Sequence, residues 1–299
     1  MDSTSFMGMT EDTVFAVGIP IVFLLIAIEV LVASRTGRRY YTKGDTLGTV
    51  GLLVGNVIVS LLAQSLSIAA FVLAYQYRIF NLSETLPAWL LLIVALVLID
   101  IAFYIFHRLS HRVRFFWAIH LSHHSSEQFN FVVAFRQAWL APIVKIPFFA
   151  PLALVGLHPA VVAVVGTIST LYGVWTHTQI VPKLGFLEWW LGTPSAHRVH
   201  HGANPQYIDK NYANMFILID RICGTYEPEL EPVKYGLSNN VNTFNPFKIT
   251  MIEWKRMWAD VRTARTVGEV LGYILGPPNW KPLEIGPSAI KGARDIRAG

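Results

Sequence analysis

The residues in this chain best suited to do chemistry are histidines, and eight of its ten stand in three close groups. His107 and His111 are spaced H-x3-H; His120, His123 and His124 are spaced H-x2-H-H; His197, His200 and His201 repeat that second spacing. On a helix, residues three and four apart lie on one face. Each group is therefore expected to present two or three imidazoles to one small volume, as a metal ligand set requires. Eight or more imidazoles exceed the four ligands of a structural zinc site, and no cysteine accompanies them. They suffice for two ions with coordination positions left open. Imidazole suits iron, copper, nickel and zinc alike. Beside lipid chains, a redox pair has a use, the activation of O2 against an unreactive C–H bond. A hydrolytic dizinc site would normally bring bridging carboxylates, which these motifs lack. The expectation is two iron ions with O2 as co-substrate. The competing readings are surface histidines, a zinc store, or a metal transporter, which would spread its ligands along a span on both sides of the midplane.

Two histidines stand apart from the groups. His177 follows an apolar run at its inner end and is expected to join the others as a ninth ligand. His158 lies in the turn Gly156–Pro159 and is expected to be structural. Polar residues that hold imidazole tautomers should accompany a metal site. Asp100, Tyr104, His107 and His111 fall at i, i+4, i+7 and i+11, one helical stripe, with Asp100 acting through Tyr104 or water. Glu127, Asp209, Asn211 and Asp220 are further candidates for such support.

The elements that must position these residues are apolar. The chain has 299 residues, 53% hydrophobic and 14% charged, with a mean hydropathy of +0.45, outside the range of ordinary soluble domains. Residues 13–34, 47–74 and 87–106 are each long enough to cross a bilayer, and the third delivers the chain to His107. A cleaved signal peptide fits the first run poorly, because positive charge is missing before it and the run is too long. Residues 138–175 are expected to form a helical hairpin, with Lys145 leaving its depth open. Residues 183–299 are more polar and are expected to form a cap, with an aromatic and basic helix over 246–261 at headgroup level. The whole is expected to be one domain, 1–299: an all-α integral membrane protein of four to five membrane helices with a histidine-rich di-metal cap. Glu29, near the end of the first span, is expected to be an interfacial carboxylate. Arg35, Arg38, Arg39 and Lys43 crowd one loop, whereas the 77–86 connection carries only Arg78. The positive-inside bias then puts the N-terminus outside and the histidines and C-terminus in the cytoplasm. The net charge of +5 is scattered near apolar segments and marks no nucleic-acid surface; Cys223, alone, allows no internal disulfide.

The motifs HRLSH, HLSHHSSEQFN and HRVHH resemble the histidine boxes of the fatty acid hydroxylase/sterol desaturase superfamily, membrane di-iron oxygenases. The similarity covers roughly residues 90–280, including HHSSEQFNFVVAFRQ, WTHTQIVPKLGFLEW and VKYGLSNNVNTFNPF. The resemblance implies iron ligands at the eight grouped histidines, with His177 as a ninth. It also implies a membrane lipid substrate (an ether lipid, a sterol or a fatty acyl lipid) in a bacterial inner membrane or the endoplasmic reticulum. Two electrons would come from an external reductant, tetrahydrobiopterin in animal relatives, or from an electron-donor protein. The chain departs from relatives at Ala196, where many have another histidine, and at Arg112, where animal relatives tend to carry an acidic residue. Hydroxylation, ether cleavage and desaturation share their first hydrogen abstraction, so the boxes leave the three open.

Overall fold

Long apolar runs with polar ends fold into long helices. The computed structural model describes residues 5–282, which contain helices and no β-strand. Helix α1, Glu11–Thr36, begins at a reciprocal cap in which Thr10 Oγ1 accepts the Thr13 N–H (3.2 Å) and Thr13 Oγ1 accepts the Thr10 N–H (2.7 Å). It stops at Gly37, whose φ of 69° suits a residue without Cβ. Helix α2 is Lys43–Gln76 and helix α3 is Ala88–Arg112. These three are long and apolar enough to cross a membrane. Helix α3 outruns the expected span that ends at Phe106, so His107 and His111 ride on its last turns. Trp89, Ile93, Val97, Ile101 and Ile105 form an exposed stripe on α3 at four-residue spacing, the face for lipid. Its opposite side, Leu91, Ala95, Ile99 and Ala102, packs against Val161, Val164 and Val165. The small alanines let the backbones approach, which matters where lipid removes the hydrophobic drive.

The hairpin differs from the two even helices expected over 138–175. Its first arm is broken into the one-turn helices Ala141–Val144, Ile146–Phe149 and Pro151–Leu154. Pro142, Pro147 and Pro151 each lack an N–H and crowd the preceding turn; the lone Pro20 is carried inside α1, but three prolines within ten residues each restart the chain as the first turn of a new helix. The second arm is continuous, helix α5, Pro159–Trp175, numbered after the short helix α4, Arg114–His124. At 17 residues α5 is about 26 Å long, short of a full crossing. Between the arms Gly156 has φ of 95°, and a Cβ there would meet the Phe80 carbonyl at 2.2 Å.

Glu29, expected at an interface, does not lie on the protein's surface. It is fully buried and accepts hydrogen bonds from the Tyr41 and Thr178 hydroxyls and the Phe131 N–H (3.0 Å). A carboxylate inside an apolar helix persists where donors replace its water. Helix α6, Pro194–His200, carries the third histidine group. Helix α7, Pro246–Val261, packs Ile249, Glu253 and Met257 inward, where Glu253 (2.8 Å) and Asp260 (2.6 Å) bind Arg114 of α4. It turns Phe247 and Trp258 outward. Helix α8, Val267–Leu275, follows; of the tail from Gly276 onward, Trp280 packs on Tyr273 and the Gly276 carbonyl accepts the Arg114 N–H (2.9 Å), and the part beyond residue 282 lies outside the described residues.

Candidate metal centre

Four elements bring nine histidines together: α3, α4, the turn after α5, and α6 with the residue that follows it. The imidazoles form two groups, His107, His111, His120, His124 and His200 in one, His123, His177, His197 and His201 in the other. Within each group the potential ligand nitrogens lie within 4.8 Å of one another. The partition does not follow the sequence boxes. In α4, His120 and His124 share a face at i, i+4 and serve the five-membered group, while His123 turns to the other. The third box mirrors this, with His197 and His201 in the four-membered group and His200 in the five-membered one. The two H-x2-H-H groups are thus each divided between two volumes, a correction to the expectation that each would serve one. The groups adjoin, with the His124 and His201 rings stacked at 4.3 Å.

The side chains fit metal ions on their own chemistry. His107 donates Nδ1–H to the Tyr212 carbonyl (2.7 Å), His177 to the Gly173 carbonyl (2.6 Å) and His200 to the Lys210 carbonyl (2.9 Å). A neutral imidazole that donates from Nδ1 carries its lone pair on Nε2. Those lone pairs face other nitrogens: His107 Nε2 is 3.0 Å from His120 Nε2, and His177 Nε2 is 2.9 Å from His197 Nε2 and 3.2 Å from His123 Nε2. His111 Nε2 is buried with no hydrogen-bond partner. Clustered lone pairs and an orphaned buried nitrogen call for a shared cation. Ligands about 2.1 Å from one ion stand about 3.0 Å apart at a right angle and about 3.4 Å apart in a tetrahedron. The observed 2.9–3.2 Å separations are those of nitrogens able to share one ion. Burial, and then the repulsion of neighbouring rings, holds His120, His123, His124, His197 and His201 well below the usual histidine range. Burial pushes His177 down to about 3 and His200 to about 4. All seven are neutral near pH 7, the form that binds metal.

The polar residues expected to support the imidazoles make no hydrogen bond to them, and some lie away from the rings. Asp100 reaches no imidazole; Oδ1 accepts the N–H groups of Asn214 and Met215 (both 3.0 Å) and Oδ2 that of Phe216 (2.7 Å). Asp220 accepts the N–H groups of Tyr212 (2.8 Å) and Ala213 (2.7 Å). Together the two carboxylates hold the backbone on either side of the Tyr212 carbonyl that fixes His107. Tyr104 bonds Thr225 Oγ1 (3.0 Å) and accepts from Arg108 (3.2 Å), with no link to Asp100. Asp209 pairs with Arg112 (2.8 Å) and stands 3.8 Å from His111 Nδ1. Asn211 bonds the Ala196 and Glu227 carbonyls (3.0 and 2.8 Å), tying α6 to the following loop. Glu127 accepts from Asn240, away from the rings. His158 caps α5 through the Ala160 N–H (3.2 Å), remote from both groups.

Residues absent from the expected set also shape the centre. Arg136, 1% exposed, binds the Ser122 carbonyl (2.9 Å), Ser125 Oγ (3.0 Å) and Asp45 (3.1 Å), fixing the end of α4 to α2. An arginine inside an apolar stretch was the signal for it. Phe129 stacks on His177 and Tyr235, closing one wall. The Tyr212 carbonyl had no sequence signal, since any residue carries one.

Residues 92–225 match the family model for fatty acid hydroxylase, a span that contains all nine histidines. Human alkylglycerol monooxygenase is 36% identical over 266 residues, covering 88% of this chain and 59% of that protein. Alkylglycerol monooxygenase of Xenopus tropicalis is 34% identical over 262 residues, 87% of this chain and 58% of that protein. An ornithine lipid hydroxylase of Rhizobium tropici is 25% identical over 214 residues, 70% of this chain and 64% of that protein. The chain thus spans 58–59% of the length of the first two relatives. No solved structure matches it. The segment that builds the histidine centre, residues 92–225, thus matches the fatty acid hydroxylase family, and most of the chain is similar to alkylglycerol monooxygenases.

Proposed function

We propose that this protein is a membrane-bound, O2-dependent lipid monooxygenase with two iron ions, acting on ether-linked glycerolipids. The observation that carries the reading is the pair of adjoining all-histidine groups at the ends of apolar helices. The relatives named for alkylglycerol favour the ether substrate. The relative named for ornithine lipid supports a second reading, hydroxylation of another membrane lipid.

His107, His111, His120, His124 and His200 would hold one ion, and His123, His177, His197 and His201 the other. Iron there would supply the activation of O2 for insertion into a C–H bond. The chain's own part is positional. Backbone carbonyls at Tyr212, Gly173 and Lys210 keep three imidazoles in the binding tautomer, and Phe129 with the buried rings excludes bulk water. The net reaction takes the lipid, O2, two electrons and two protons to a hydroxylated lipid and water. Where the hydroxyl lands on the carbon beside an ether oxygen, the product is a hemiacetal, which divides into an aldehyde and a free glycerol hydroxyl. The electrons come from an external reductant, a tetrahydrobiopterin or an electron-donor protein.

The basic loop that holds Arg38 and Arg39 lies on the side of the histidines, since Asn130 bonds the Tyr40 carbonyl and Ser126 bonds Asp45 (2.8 Å). By the positive-inside bias this side faces the cytoplasm, with the N-terminus outside. The test is lipid analysis of cells with and without the protein, fed alkylglycerol carrying a labelled ether chain. Labelled fatty aldehyde should appear only with the protein. Unchanged ether lipid beside a hydroxylated acyl lipid selects the second reading, and no oxidised lipid of any class refutes both.

A further inference from the structure

The polar stretch after α5 contains an apolar edge that the centre does not use. Phe186, Trp189, Trp190 and Ile222 are 58–77% exposed, and Leu218 joins them on the one-turn helix Leu218–Ile222. Their depth is set by hydrogen bonds to helices that enter the membrane. Asp100 holds the backbone of Asn214, Met215 and Phe216, and the lipid-facing stripe of α3 continues past Asp100 to Ile101 and Ile105. Ile105 lies roughly 7 Å nearer the histidines than Asp100. On α5 the same segment is held one to two turns inside the helix end, by Asn214 Nδ2 on the Ser169 carbonyl (2.7 Å) and by Tyr172 Oη on the Gly192 carbonyl (2.9 Å). The edge therefore sits at the level of the lipid stripe, below the histidines.

The backbone that leads into it is satisfied as lipid demands. Five consecutive N–H groups, Tyr212 to Phe216, are taken by two buried carboxylates, Asp220 and Asp100, where a loop in water would leave them to solvent. The charge in the segment is covered as well. The Arg221 guanidinium lies 4.2 Å from the Trp189 ring centre and 3.6 Å from that of Tyr226, and donates to the Glu188 carbonyl (3.1 Å). Tryptophan beside a covered arginine is the composition of a membrane interface.

We propose that residues 186–190 and 216–222 form a lip inserted into the leaflet on the histidine side, in contact with lipid rather than water. The proposal rests on α3 crossing the bilayer and not on the reaction at the centre. It removes this stretch from the water-facing cap and makes it part of the membrane boundary beneath the site.

The chain's single cysteine, Cys223, is exposed beside Ile222 and takes an environment-sensitive fluorophore without mutation. The labelled full chain is placed in phosphatidylcholine vesicles with phosphatidylglycerol, and a Cys223→Ser, Glu231→Cys variant carries the same dye at an exposed position of the polar cap. At Cys223 the dye should be shielded from aqueous iodide and quenched by nitroxide on the upper acyl chain. The dye at position 231 should show the reverse. Iodide quenching at Cys223 equal to that at position 231 would overturn the proposal. Shielding from iodide without nitroxide quenching would overturn it too, because the lip would then be covered by protein, such as a second copy of the chain.

Discussion

Adjacent histidines of one box should belong to different metal ions, and paired substitutions separate this arrangement from one ion per box. His123 is one of four nitrogens in its group and His124 one of five in the other. A four-donor histidine or cysteine site binds a divalent ion with about 10–16 kcal/mol, so each donor accounts for about 2.5–4 kcal/mol, or about 10²–10³ in affinity. In the five-donor group the share is smaller, about 2–3 kcal/mol, or about 30–200-fold. The assay is metal content of purified protein equilibrated against a chelator that leaves wild type with two ions and strips a site lacking one donor. His123→Ala with His197→Ala removes two donors from one group and should leave one ion per chain. His123→Ala with His124→Ala, neighbours in sequence, weakens both groups and should leave none. Circular dichroism on the same samples confirms that the helices remain. One ion retained by the neighbouring pair, or none by the same-group pair, would refute the partition.

Asp100→Asn keeps one acceptor oxygen where three N–H groups need two; an unsatisfied Phe216 N–H costs about 1–3 kcal/mol, so the melting temperature should fall while metal content holds. Metal loss without a lowered melt would instead place Asp100 in direct contact with the rings. Glu29→Ala strips acceptors from Thr178 and the Phe131 N–H and should destabilise the detergent-solubilised protein by about 2–4 kcal/mol, measured by denaturant titration. Arg136→Met leaves Asp45 buried without its partner and should cost about 3–5 kcal/mol in the same titration, with partial recovery in the double variant Arg136→Met, Asp45→Asn. His158→Ala should lower stability by about 1 kcal/mol through loss of the helix cap and leave lipid turnover near wild type, because the site lies at the far end of α5.

Much of this protein is determined by its sequence alone, because the relevant physics is local. Apolar length sets the three spans within a few residues, and the prolines at 142, 147 and 151, three within ten residues, favour a broken first arm of the hairpin. Histidine type and density mark the centre, and the position of His177 at the end of an apolar run placed it with the others. What only tertiary structure decided is how these residues are shared. Helical spacing puts His120 and His124 on one face, yet which volume that face meets depends on the angles at which α3, α4 and α6 pack. The roles of Asp100 and Glu29 were hidden for the same reason: a buried carboxylate announces that donors exist, but not which. For Asp100 the donors are backbone N–H groups more than a hundred residues away, and for Glu29 they are Tyr41, Phe131 and Thr178. A backbone N–H or carbonyl is the same at every position, so no residue type in the sequence can point to it; only the packing of the helices selects it.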